Sequence, residues 1–282
     1  METWFWILGW VLSFLAIIGN GFTIFLVCSR RNLRTKTNAF IVSLAVADFC
    51  VGLSVIPSMF FCSDIITNTC HRSQLWITYI RLLFSNTSAV NLCSLVLDRF
   101  IAIIHPLKYI TFMTRPRITQ AISFSWVLPV SFNVLKVTLY TFYFKTIPAP
   151  ACIWLNIIFF EFLPSVVLIL CFVSTIFHLR RQGRSARIVA KQLLFNHQMS
   201  FKIHHERPRS AVIMMGLVIG VFLVCYGMYL RCSFTLFHTT SCNDENYKIP
   251  FLVLNSVINP LVYAFFKRDI KKEFKRLVGA VF

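Results

Sequence analysis

Seven apolar stretches, each long enough to cross about 30 Å of hydrocarbon at about 1.5 Å per residue, dominate this chain. They run approximately over residues 6–28, 39–62, 75–104, 118–140, 151–179, 211–230 and 249–266, the last being the shortest. Lipid offers no hydrogen-bond partners to a bare backbone, so segments of this kind are restricted to helices that satisfy their own amides. The sequence therefore predicts an all-α membrane protein, a single domain over residues 1–282 built as a seven-transmembrane helix bundle. The chain is 57% hydrophobic and 13% charged, against a charged share of about 25% in soluble domains.

A net charge of +18 raises the question of a nucleic-acid partner. A polyanion binder gathers its charge on one solvated face, whereas here the basic residues sit in short segments between apolar runs, so no nucleic acid is expected. Alternate connections differ sharply: 21 of the 28 Lys and Arg lie at 30–36, 108–117, 180–209 and 267–276. The other side holds only Arg72, Lys145, Arg231 and Lys248. Retained positive charge marks the cytoplasmic side. This predicts a multi-pass protein of the cell membrane with an extracellular amino terminus and a cytoplasmic carboxyl terminus. METWF has no basic start of the kind a cleaved signal carries, so the first segment is expected to serve as its own insertion signal. No outside segment carries an Asn-x-Ser/Thr acceptor, so a ligand is expected to be read by the bundle and its short loops. The absence of an internal repeat weighs against a transporter.

After the seventh segment, FFKRDIKKEFKRL places Phe266, Ile270 and Phe274 on one stripe among basic residues. An interfacial helix over about 267–278 is expected there, lying on anionic membrane lipids. A solvated basic tail is the alternative.

Polar groups inside a membrane segment are functional candidates by default. Gly19-Asn20 lies in segment one, LAVAD ending at Asp48 in segment two, Asp98-Arg99-Phe100 at the inner end of segment three, Trp126 in segment four, Pro164 in segment five and NSVINPLVY, Asn255 to Tyr263, in segment seven. With one marker in nearly every segment, in order, the chain resembles the rhodopsin-like family of G-protein-coupled receptors. The resemblance implies a receptor, not an enzyme, whose partners are a heterotrimeric G protein and an extracellular small molecule or short peptide. It implies that Asp98 holds Arg99 in the inactive state and releases it to the G protein. A purely structural ion pair is the plainer reading, and IIHPLKY, with Pro106-Leu107 opening the second inner loop, favours the latch. Tyr226, Asn259, Pro260 and Tyr263 are implied to take part in activation. Asp48, Ser88, Asn255, Ser256 and Asn259 match the family's sodium-holding positions, and their oxygens suit a hard cation; a hydrated network without an ion is the alternative. No other cofactor is expected.

Three departures limit the carry-over. The outer cysteine of segment three is displaced: Gln74 stands in its place and Cys70 lies four residues earlier. Cys152 is its expected partner, Cys62 a competitor, and Cys232 with Cys242 would close the third outer loop. Cys28, Cys50, Cys93, Cys171 and Cys225 read as small buried hydrophobes. Segment six has Tyr226 and Met228 where the family commonly has Trp and Pro. The acidic residue that often reaches the helix-three arginine from segment six would fall at Pro208, with Glu206 nearby. The ligand pocket is expected around Arg81, Ser85, Glu161, Tyr226 and Val253. Val253 replaces the retinal-binding lysine of light receptors, and Arg81 replaces the aspartate of amine receptors. Arg81 either pairs with Glu161 as an internal strut, anchors an anionic ligand group, or snorkels to the outer interface. The His197, His204 and His205 cluster reads as solvated. The readings competing with an active receptor are a degenerate receptor that partners another and signals little, and a channel or transporter.

Overall fold

The computed structural model describes residues 3–64, 70–143, 154–195, 206–238 and 245–279, with side chains outside the description at 61–64, 70–78, 140–143, 184–195, 206–209, 232–238, 245–248, 275 and 277–279. Within it, seven helices are long and apolar enough to cross a membrane. They are helix one Thr3–Ser29, two Lys36–Phe60, three Tyr79–Ile104, four Arg115–Leu139, five Trp154–Gly183, six Ser210–Arg231 and seven Ile249–Phe266. A short loop helix, Pro106–Phe112, joins three to four, and a tail helix, Arg268–Gly279, follows seven. Helices five and six continue past their apolar parts, to Phe195 and back to Glu206. A hydropathy reading stops where lipid stops, but Arg, Lys, Gln and Ala are good helix formers and carry the backbone onward.

Without a hydrophobic force between helices in lipid, close packing has to come from small residues. A Cβ added at Gly9 would lie 2.8 Å from Ile56, and one at Gly52 would lie 3.1 Å from the Ser13 carbonyl. Gly52 lets helices one and two approach backbone to backbone, and Gly9 makes room for the Ile56 side chain. Gly19 faces Pro260 in the same way, seating helix seven on helix one. Two apolar cores result. One holds Leu44, Leu92, Leu95, Phe222 and Tyr263; the other holds Phe5, Leu12, Val55, Ile56 and Val253. Large apolar side chains also point outward, among them Ile18, Phe25, Phe124, Val127 and Phe177. In water that would be an aggregation hazard; facing hydrocarbon it is the expected exterior.

Helix five contains a wide turn at Ile158–Phe162, where the Leu163 N–H bonds to the Ile158 carbonyl. Pro164 follows and cannot donate to the turn before it, so a local widening re-seats the backbone there. This turn buries Phe160 and Glu161. The tail helix packs on the bundle. Ile270 is buried in the main core, Phe274 meets Phe22 of helix one edge to face at 5.9 Å, and Glu273 contacts Arg30 at 3.9 Å and Arg276 at 2.7 Å.

Candidate functional site

The centre of the bundle is organised around Asp48, which is fully buried. LAVAD puts its carboxylate on the inward face of helix two, and helices three and seven supply the donors. Ser88 Oγ donates to Oδ1 at 2.5 Å, Ser256 Oγ to Oδ1 at 2.7 Å and Asn259 Nδ2 to Oδ2 at 2.7 Å. Asn255, one turn before Asn259 and therefore on the same face, is 1% exposed and keeps Oδ1 without a hydrogen bond. Four of the five residues expected to form a cation site are thus bonded together, and the fifth holds a spare buried oxygen beside them in the sequence. That donor set fits a hard monovalent cation.

A second network ties the helices together. Trp126 Nε1 donates to Ser43 Oγ at 3.0 Å, Ser43 Oγ to Asn91 Oδ1 at 2.6 Å, and Asn91 Nδ2 to the Thr87 carbonyl at 2.9 Å. Asn20 Nδ2 reaches the Ser256 carbonyl at 3.0 Å, joining helices one and seven. Sequence reading singled out Trp126 and Asn20 but passed over Ser43 and Asn91. Both are polar residues inside apolar segments, which was signal enough to find them.

At the inner end of helix three, Arg99 donates to Asp98 Oδ2 through Nη2 at 2.8 Å and Nε at 3.1 Å. The carboxylate also accepts from Thr37 Oγ1 at 3.1 Å and from Tyr109 OH at 2.7 Å. Asp98 is 1% exposed, so its carboxylate is locked in a buried cluster with Arg99, Thr37 and Tyr109 and not in a surface ion pair. Burial and the Asp98 carboxylate push the Tyr109 phenol above its ordinary value, which keeps it a donor. Thr37 belongs to no motif and Tyr109 ends IIHPLKY with no role of its own there; only the fold carries helix two and the loop helix to Asp98. Beside the lock, Leu107 is 83% exposed and Ile110 68% exposed, an apolar projection on an otherwise basic surface. Pro106 is the first residue of that loop helix, after His105 at its N-cap. Tyr263 is buried with no partner for its hydroxyl, and Pro260 is buried against Gly19.

Near the lock, Lys267 Nζ donates to Asn38 Oδ1, while Asn38 Nδ2 bonds the Leu33 carbonyl at 2.6 Å. Burial first, and then the Arg99 charge, lower Lys267 to about 7. The unfolded chain therefore holds an extra proton between pH of about 7 and its ordinary 10.5, so stability rises with pH across that window and the cost of burying the charged form is carried in full below it. The rise in melting temperature between pH 7 and 9.5 is expected to be smaller in Lys267→Met than in the parent protein, read by thermal unfolding in detergent. Equal slopes would discount Lys267.

The outer pocket needs one correction. Glu161 is 2% exposed, its Oε2 accepts no hydrogen bond among the described residues, and burial alone acts on its carboxyl, so the expected Arg81–Glu161 strut is not formed. Arg81 is within electrostatic reach of Tyr229, and Glu161 of Tyr226. Three residues of helix separate those tyrosines, roughly 4.5 Å of rise. Tyr226 OH donates to the Ser85 carbonyl at 3.2 Å and its ring stacks on Phe222, while Ser85 Oγ is buried without a partner. Ser85, Glu161 and Tyr226 therefore share one level. Val253 packs with Phe5, Val55 and Ile56 among helices one, two and seven, and Phe84, next to Ser85 in helix three, packs against the same cluster. Exchanging the charges, Arg81→Glu with Glu161→Arg, is expected to leave surface expression no better than the worse single variant; recovery to parent levels would reinstate the strut.

Cys171 and Cys225 are buried and unbridged, Cys50 and Cys93 half-buried, and Cys28 is exposed, against its expected burial. It ends helix one beside a groove, where nothing covers it. Cys152 and Cys242, and the side chains of Cys70 and Cys232, lie outside the described residues, as do the three histidines.

Residues 19–263 match the family described as 7 transmembrane receptor (rhodopsin family). Among individual proteins, the octopamine receptor beta-2R of Chilo suppressalis is 24% identical, with 96% of this chain and 78% of the relative covered. The adenosine receptor A2b of Rattus norvegicus is 27% identical over 95% of this chain and 88% of its own. The histamine H2 receptor of the same species is 28% identical, covering 96% and 78%.

Proposed function

Because the chain belongs to the rhodopsin family of seven-transmembrane, G-protein-coupled receptors, we propose that it binds an extracellular small molecule in its outer bundle and releases Arg99 to a heterotrimeric G protein at the inner face. The observation that carries this reading is the closed lock: one buried carboxylate held by Arg99, Thr37 and Tyr109, next to an exposed Pro106-Leu107 loop. An arginine kept from solvent by its neighbour is available for a partner only after the helices move. The basic connections orient the amino terminus outward and the tail helix toward the cytoplasm. Asp48, Ser88, Asn255, Ser256 and Asn259 hold a sodium ion that favours the closed state, because the ion's oxygens come from three helices whose spacing fixes it.

Ligand chemistry follows from the pocket. The three relatives carry the names of octopamine, adenosine and histamine, all small molecules. Arg81 offers a guanidinium fork suited to a carboxylate or phosphate, so an anionic group on the ligand is the reading adopted here. A ligand library screened by G-protein dissociation tests it: anionic compounds should activate the parent, and Arg81→Ala should express normally while losing that response. Equal responses from both would remove the anchor. The second reading, a receptor that partners another and signals little, is favoured by Tyr226 and Met228 in helix six. A library that yields binders without nucleotide exchange would select it.

A further inference from the structure

Two side chains in the outer half of the bundle are buried with an oxygen left over. Among the described residues Glu161 Oε2 and Ser85 Oγ have no hydrogen-bond partner, and the two residues are 2% and 3% exposed. Both belong to one place, because Tyr226 OH donates to the Ser85 carbonyl at 3.2 Å and the Glu161 carboxyl acts on the same phenol. Helix five is tied to helix three on either side of Glu161. Asn86 Nδ2 donates to Asn156 Oδ1 at 2.9 Å in one tie, and Cys93 meets the Pro164 carbonyl in the other. Between these ties the wide turn at Ile158–Phe162 buries Glu161 instead of leaving it toward lipid.

A carboxylate facing no cation is expensive at this depth, and no cation among the described residues is near enough to act on this one. A carboxyl beside an unbonded hydroxyl supplies the oxygen acceptors that the three N–H donors of a primary ammonium group require. The rings of Phe222 and Tyr226, stacked with centroids 4.2 Å apart, add an aromatic surface next to it. Arg81 stands four residues outward of Ser85 on the same face of helix three, roughly 6 Å of rise.

We infer that Glu161 and Ser85 receive a primary ammonium group of the ligand, which is therefore amphoteric: an amine at this inner subsite and a carboxylate at Arg81. One helical turn, about 6 Å, separates the two levels, which suits a straight-chain ω-amino acid. An α-amino acid, whose two charged groups share one carbon, is too short to engage both. The carboxylate half rests on the anionic anchor proposed above; the ammonium subsite rests on Glu161 and Ser85.

Thermal unfolding of the purified receptor in detergent, titrated with 5-aminopentanoate, pentanoate and pentylamine, tests the assignment. In the parent, 5-aminopentanoate should raise the melting temperature at concentrations about tenfold lower than pentanoate does. Glu161→Gln keeps the shape and discards an unpaired charge, so it is expected to fold; it should cancel that advantage and leave the pentanoate shift in place. Ser85→Ala, the second variant, should reduce the advantage about threefold. Equal midpoints for 5-aminopentanoate and pentanoate in the parent, or an advantage that survives Glu161→Gln, would overturn the ammonium subsite and leave the anionic anchor standing. A pentylamine shift equal to that of 5-aminopentanoate, lost in Glu161→Gln and unchanged in Arg81→Ala, would remove the anchor and with it the amphoteric ligand. No shift with any of the three would remove both.

Discussion

Arg99→Ala is expected to remove nucleotide exchange on the G protein, by about tenfold or more, while surface expression stays close to the parent's. Arg99 donates both of its hydrogen bonds here to Asp98, and that carboxylate keeps Thr37 and Tyr109 when the guanidinium is gone. The fold thus loses one partner of a pair whose other member remains bonded, whereas the G protein loses its proposed contact altogether. Asp98→Asn should act in the opposite direction. It weakens two charge-assisted bonds, worth about 1.5 to 3 kcal/mol each, and should raise exchange in the absence of ligand. Exchange measured with purified G protein in vesicles, beside surface labelling of cells, checks both. Full signalling by Arg99→Ala would end the proposed mechanism.

The second large effect is expected at Asp48. Replacing it with alanine strips the acceptor from Ser88, Ser256 and Asn259 together. A buried polar group left without a partner costs about 1 to 3 kcal/mol, and domains are stable by only about 5 to 15 kcal/mol. Three such groups on two helices form one network, so the costs do not simply add. Even so, most of the folded yield should be lost. Asp48→Asn preserves the shape and two acceptor lone pairs while discarding the charge, so it should recover much of the yield. It should also lose any dependence of melting temperature on sodium over potassium. If Asp48→Asn retains the parent's sodium dependence, the ion is held elsewhere or by other groups; if the parent shows none, the site is a hydrated network.

Much of this molecule was legible from the chain alone, for reasons that are local. Lipid forbids unsatisfied backbone, so seven apolar runs dictate seven helices, and the same solvent makes each buried polar residue conspicuous. Asp48, Ser88, Ser256 and Asn259 could be named as one group because family resemblance aligned them, and the structure bonds them together. Asp98 and Arg99, adjacent in the chain, needed no fold to meet. What the chain could not state was depth and facing between helices. Arg81 and Glu161 are opposite charges on facing segments, yet they form no strut, and no periodicity within a single helix reports the stagger against another. That Val253 packs with Phe5 and Val55 was likewise beyond the chain's own pattern, because the rotation of helix seven is set by Gly19 against Pro260 and by Asn20 reaching the Ser256 carbonyl. Thr37, Tyr109 and Lys267 are separated from their partners by turns and loops. Sequence fixes which residues must leave lipid, whereas the packing of one helix on the next decides which of them find each other.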